Sequence, residues 1–176
     1  MAWVHIMACA LVGIAVMLPS INGGPLFDDQ ALIDLEPKYR DDGWRYLCPR
    51  WLALQSYCWT WRVFGYRWRA WHGINLILHA VNISLVYMIV QALWFPLAPW
   101  AALTFAVHPL QTSAVGYMSA RPGILAATFA YTGFLALVQG DWPGAVLSAL
   151  LSLLSKEDAW IYLAFWPMLV YFSGRT

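Results

Sequence analysis

Apolar positions in this chain come in runs separated by short polar breaks. Residues 2–21 contain no acid, lysine or arginine. At about 1.5 Å per residue, such a run crosses a hydrocarbon core about 30 Å thick once. A cleaved leader would carry a positive amino-terminal flank. This run has none, and it predicts a retained helix ended by Pro19 and the Gly23-Gly24-Pro25 turn. Residues 73–95 form the second run, and Pro96 and Pro99 mark a turn after it. A third run over 97–107 is broken by His108-Pro109, and a short mixed helix over 110–120 ends at Arg121-Pro122. Residues 123–138 follow, closed by the polar turn Gln139-Gly140-Asp141-Trp142-Pro143-Gly144. Runs at 145–154 and 159–172, both short for a crossing, flank Ser155-Lys156-Glu157-Asp158. The pattern predicts an all-α, polytopic membrane protein of about six membrane helices. It reads as a single membrane domain over 1–176, with a first helix at 1–21, a charged interfacial loop at 22–72 and a helical bundle at 73–176. Short final runs fit a thin region of bilayer, or a bundle completed by a partner membrane protein or a second copy of the chain.

The loop is where this pattern fails. Residues 22–71 hold seven of the ten Lys/Arg, six of the nine acids and six of the twelve tryptophans, so the polar chemistry is concentrated there. Arginines interleaved with aromatics at helical spacing predict helices lying in the membrane interface. Following the runs from one side to the other gathers every Lys/Arg except Arg175, and every acid except Asp141, at one end of the bundle. The positive-inside rule alone would turn that end to the cytoplasm, but acids nearly balance bases there, and the rule weakens as loops lengthen. Composition agrees with a membrane protein: 61% of residues are hydrophobic and 11% charged, against about 25% charged in soluble domains. A net charge of +1 offers no basic face for nucleic acid. Cys9 reads as a packing residue. Cys48 and Cys58 are able to pair if the loop is non-cytoplasmic, and no cysteine spacing suggests zinc.

Several residues carry candidate chemistry. Asp28-Asp29, just past the first helix, suits a general base acting on a hydroxyl; the plainer reading is an acid pair at a helix start. His72, Asn75, His79 and Asn82 are spaced three, four and three apart, so they share one helix face turned to the bundle interior. The two histidines stand about 10 Å apart, too far to share a metal. For Asn75, His79 and Asn82 interhelical hydrogen bonds are the plainer role, which leaves His72, at the charged mouth, as the functional candidate. His108 ends a run at that same end. Arg121 presents a fork that matches phosphate oxygens, with snorkelling to the interface as the alternative. Lys156 and Glu157 bring one more cation and acid.

The ordered series of Phe27-Asp28-Asp29, His72-x-x-Asn75-x-x-x-His79-x-x-Asn82, Ala106-Val107-His108-Pro109-x-x-Thr112, Arg121 and Leu154-Ser155-Lys156-Glu157 resembles the GT-C-type membrane glycosyltransferases. Within them it is similar to the membrane half of the transmembrane-and-TPR-repeat O-mannosyltransferases and their bacterial relatives. The resemblance covers nearly the whole chain and implies a truncated member. It implies a polyprenyl-phosphate sugar as donor and a protein or glycan hydroxyl as acceptor. It also implies Asp28 or Asp29 as the base, with His72, His108, Arg121, Lys156 and Glu157 near the donor phosphate. A divalent metal on the acids stays open. The charged face would be non-cytoplasmic, in a bacterial inner membrane or an ER-like membrane. The chain departs from the family pattern at Ser113 and Gly123, where an acid is expected. Two other classes remain: a non-catalytic GT-C-derived subunit of a larger complex, and a lipid-phosphate carrier that keeps the cations and tolerates loss of both aspartates.

Overall fold

The computed structural model describes residues 2–25, 28–34 and 50–172. Among them the chain is all-helical. Helix α1 spans Ala2–Met17 and continues as a 3₁₀ turn over Leu18–Asn22. A short α2 spans Asp29–Asp34. Helix α3 spans Trp51–Phe64, α4 Trp68–Leu93, α5 Ala98–Val107, α6 Gln111–Gly116 and α7 Arg121–Gln139. Helix α8 spans Trp142–Ser155, with α9 at Trp160–Ala164 and α10 at Trp166–Phe172.

Three helical segments are long and apolar enough to cross a membrane: Ala2–Asn22, Trp68–Leu93 and Met118–Gln139. Among the described residues, three of the six expected crossings are thus supported by length and composition, and the other three are not confirmed. Helices α5 and α8, of 10 and 14 residues, rise only about 15 and 21 Å, short of the bilayer core. Proline sets the limit for α5, because Pro96 lies in the 3₁₀ turn before it, Pro99 in its first turn, and His108-Pro109 ends it. Two helices, α2 and α3, fall within the loop, as the arginine–aromatic pattern suggests. Six of that loop's thirteen charged residues lie outside the described residues: Glu36, Lys38, Arg40, Asp41, Asp42 and Arg45. So does Cys48, and with it any pairing to the buried Cys58.

Helix α4 is the hub, packed by α1, α5 and α7, while α7 and α8 form a close hairpin. Ile6, Cys9, Ile83, Tyr87, Ala98, Ala102 and Ala106 make the core between α1, α4 and α5. Alanines on α5 and Gly13 on α1 bring the backbones close, for a Cβ at Gly13 would lie 2.4 Å from Ile83 Cδ1. The α7–α8 turn is fixed by Gly140 in the left-handed region at φ 82°. There Gly140 N–H donates to Leu137 O and Asp141 N–H to Ala136 O, closing α7. Asp141 Oδ1 then accepts Gly144 N–H at 3.0 Å and caps α8.

The outer surface is apolar where a water-soluble bundle would be polar. Trp3 is 74% exposed and Leu11 59%, which fits hydrocarbon as the surrounding medium. Exposed Trp3, Trp94, Trp100 and Trp142 stand at the end away from the charges, where indole rings suit a headgroup layer.

Candidate functional site

Two polar regions form at the charged end. The first is buried and centres on Arg121, the first residue of α7. Its side chain has no exposed surface. The guanidinium donates from Nε to Asn75 Oδ1 at 2.9 Å, and from Nη1 to Thr60 Oγ1 at 2.8 Å and Ser56 O at 3.3 Å. Nη2 donates to Trp71 O at 3.3 Å. The ring centroids of Tyr57 and Trp71 lie 4.9 and 5.1 Å from its central carbon, a cation–π box that offsets part of the desolvation cost. Trp61 packs edge-on against Trp71 at 4.8 Å and closes this box from α3.

The polar face of α4 serves the same cluster. Asn75 Nδ2 donates to Tyr117 O at 2.8 Å while its Oδ1 takes Arg121. His79 Nε2 stands 3.4 Å from Ala106 O. Asn82 Nδ2 donates to Ile124 O at 3.2 Å and its Oδ1 accepts Thr128 Oγ1 at 2.8 Å. All three are buried and staple α4 to the segments that carry α5, α6 and α7. His72 belongs to this face but differs from it. It is 1% exposed, and among the described residues neither ring nitrogen makes a full hydrogen bond, the Gly23 backbone being its nearest polar neighbour. Asp29 and Arg121 are both within electrostatic reach of it.

The two acids at the start of α2 have different surroundings. Asp29 is fully buried, and its Oδ1 accepts Ser119 N–H at 2.7 Å, which ties α2 to the turn before α7. Asp28 is exposed.

The second region is an open cleft of about 520 Å³ between α4, the α5–α6 turn, α7 and α9. His79, Asn82 and Tyr131 are at its floor, Ser119, Ala120, Pro122 and Gly123 along one wall, and Arg50 and Lys156 among its polar lining. Nothing lies within 4 Å of a Cβ built on Gly123, so the start of α7 is open to the cleft. Arg50 Nε donates to Glu157 Oε2 at 2.7 Å, with a second contact from Nη2 to Oε1. This fork raises the Arg50 pKa and holds the Glu157 carboxyl down to about 2, chiefly through the hydrogen bond. Lys156 pairs with Asp158 at 2.9 Å.

Of the residues singled out from sequence, His79, Asn82 and Lys156 line the cleft directly. Asp29 stands behind its wall at Ser119, and Glu157 reaches it through Arg50. Arg121 and His72 lie in the buried cluster. His108 is exposed, with Nδ1 accepting Leu110 N–H at 3.2 Å to shape the helix-ending turn. Arg50 was not singled out, because nothing in its spacing separates it from the other loop arginines. Among the described residues no three His, Cys, Asp or Glu side chains gather as a metal site. No protein-family model matches the chain, and neither does any curated protein or solved structure.

Proposed function

We propose that the chain is a GT-C-type membrane glycosyltransferase that moves a sugar from a polyprenyl-phosphate donor to a protein or glycan hydroxyl. The observation that carries this reading is the cleft itself. It opens at the charged end, two cations line it, and Asp29 accepts a hydrogen bond from Ser119 in its wall. In this reading the two acids divide the work. Exposed Asp28 takes the proton of the acceptor hydroxyl. The acceptor oxygen attacks the anomeric carbon, the carbon–oxygen bond to phosphate breaks, and the phosphate leaves with the bonding pair. Lys156 and Arg50 stabilise the charge developing on that phosphate. Asp29 is a positioning residue that holds α2 against the cleft. The family's larger number of crossings would include α5 and α8 as deep but incomplete helices, and the charged end would be non-cytoplasmic.

A second reading has its own support. Arg121 commits four of its five N–H donors to internal hydrogen bonds, as suits a scaffold subunit that kept the framework and lost the reaction. Transfer assays on the purified chain in liposomes, with a radiolabelled polyprenyl-phosphate sugar, separate the two. Label transfer that falls about 10²–10⁴-fold in Asp28→Asn supports the transferase. No transfer above background, together with a stoichiometric partner chain in gentle extracts, supports the scaffold.

A further inference from the structure

A second hollow, of about 580 Å³, lies at the same end as the cleft but outside it. It is formed where the end of α1 meets the α3–α4 turn. Ile21, Phe64 and Trp68 supply apolar walls, Gly23 and Gly24 a bare backbone wall, and Arg67 and Arg69 the charge.

The two arginines differ from the other cations of known surroundings. Arg50 and Lys156 each hold a carboxylate, and Arg121 is buried in neutral hydrogen bonds. Arg67 and Arg69 are both exposed and contact no carboxylate among the described residues. They flank Trp68 at the first turn of the longest apolar helix, the level at which a crossing helix meets headgroups. The buried His72 stands behind the glycine wall, its Nε2 4.0 Å from where a Gly23 Cβ would be.

We propose that this hollow is a binding site for the headgroup of an anionic phospholipid, its phosphate held by Arg67 and Arg69 and its upper acyl chain packed along Phe64 and Trp68. A guanidinium fork suits a phosphate diester. The apolar walls separate this occupant from free phosphate, which would gain nothing from Ile21, Phe64 or Trp68. The proposal does not depend on glycosyl transfer, because the site shares no lining residue with the cleft.

The test is native mass spectrometry of the full chain, delipidated in detergent and titrated with phosphatidylglycerol or phosphatidylcholine of identical acyl chains. Phosphatidylglycerol is expected to bind preferentially, and Arg67→Gln with Arg69→Gln to weaken it roughly 10- to 30-fold, and to weaken phosphatidylcholine, whose choline cancels the charge of the same phosphate diester, by much less. Both side chains are exposed, so far-UV circular dichroism should be unchanged, and the Arg67→Lys, Arg69→Lys variant should keep most of the preference. Equal retention of the two lipids would overturn the proposal, as would an undiminished preference in the glutamine variant. Displacement of the lipid by equimolar inorganic phosphate would assign the site to free phosphate instead.

Discussion

Arg121 and Lys156 stand at the same end of one bundle and are held in opposite ways. Arg121 is enclosed, with four hydrogen-bond acceptors and two aromatic faces around one guanidinium. Lys156 is about one-third exposed, with one acid beside it and an open cleft in front. A buried cation with four of its five donors taken contributes to the fold, and a new ligand would have to displace those contacts. A surface cation in a cleft contributes little to the fold and is free to exchange partners. The contrast teaches that residue type and position along the chain do not identify an anion ligand; the occupancy of its donors does.

The largest effect should come from breaking the enclosed side. Arg121→Met removes the donor to Asn75 Oδ1 and Thr60 Oγ1 and the extra donor to Trp71 O, while Ser56 O keeps Thr60 Oγ1. It should lower stability by about 3–5 kcal/mol, measured as a fall in the unfolding midpoint in micelles. Arg121→Lys should recover only part of this, because one ammonium cannot reach all four acceptors. If Arg121→Met folds normally and loses only ligand affinity, the contrast fails.

Next come the acids. Asp29→Asn removes a charged acceptor from Ser119 N–H and should cost about 1.5–3 kcal/mol, whereas Asp28→Asn should stay within about 0.5 kcal/mol of the parent. Chemical denaturation of both variants checks this, and equal losses would refute the division of roles between the two acids. On the open side, Lys156→Ala should leave the unfolding midpoint in place. It should weaken retention of a polyprenyl phosphate by about fivefold, less at high salt, as read by lipid titration at two ionic strengths.

The smallest effect concerns the Arg50–Glu157 fork. Folding lowers the Glu157 pKa from 4.5 to about 2. The pair therefore contributes in full above pH 4.5, and its contribution fades as pH falls towards about 2. Both side chains are about half exposed, so the loss should be under about 1 kcal/mol. It should disappear in Glu157→Gln, compared with the parent by thermal unfolding at pH 5 and pH 2.5.

Much of the fold was legible because local chemistry decides it. Twenty residues without charge must be helical in hydrocarbon, where every backbone group needs an internal partner. The three-four-three spacing of His72, Asn75, His79 and Asn82 puts them on one face wherever the helix packs. Gly140 followed by Asp141 and Pro143 stops one helix and caps the next using residues no more than five apart. Those features depend on near neighbours, and the sequence carries them by itself.

Other features depend on which distant segments meet, and only the tertiary structure decided them. Helices α5 and α8 read as crossings by composition, but turns on both sides leave them too short. Asp28 and Asp29 are equivalent in sequence. Ser119, 90 residues on from Asp29, makes one a buried tether and leaves the other exposed. Arg121 reads as a phosphate ligand until α3 and α4 bring Ser56, Thr60, Trp71 and Asn75 around it. Arg50 becomes a cleft residue because Glu157 lies within reach, 107 positions away. Hydrogen-bond occupancy at each of these groups is set by partners far along the chain, and no local pattern records it.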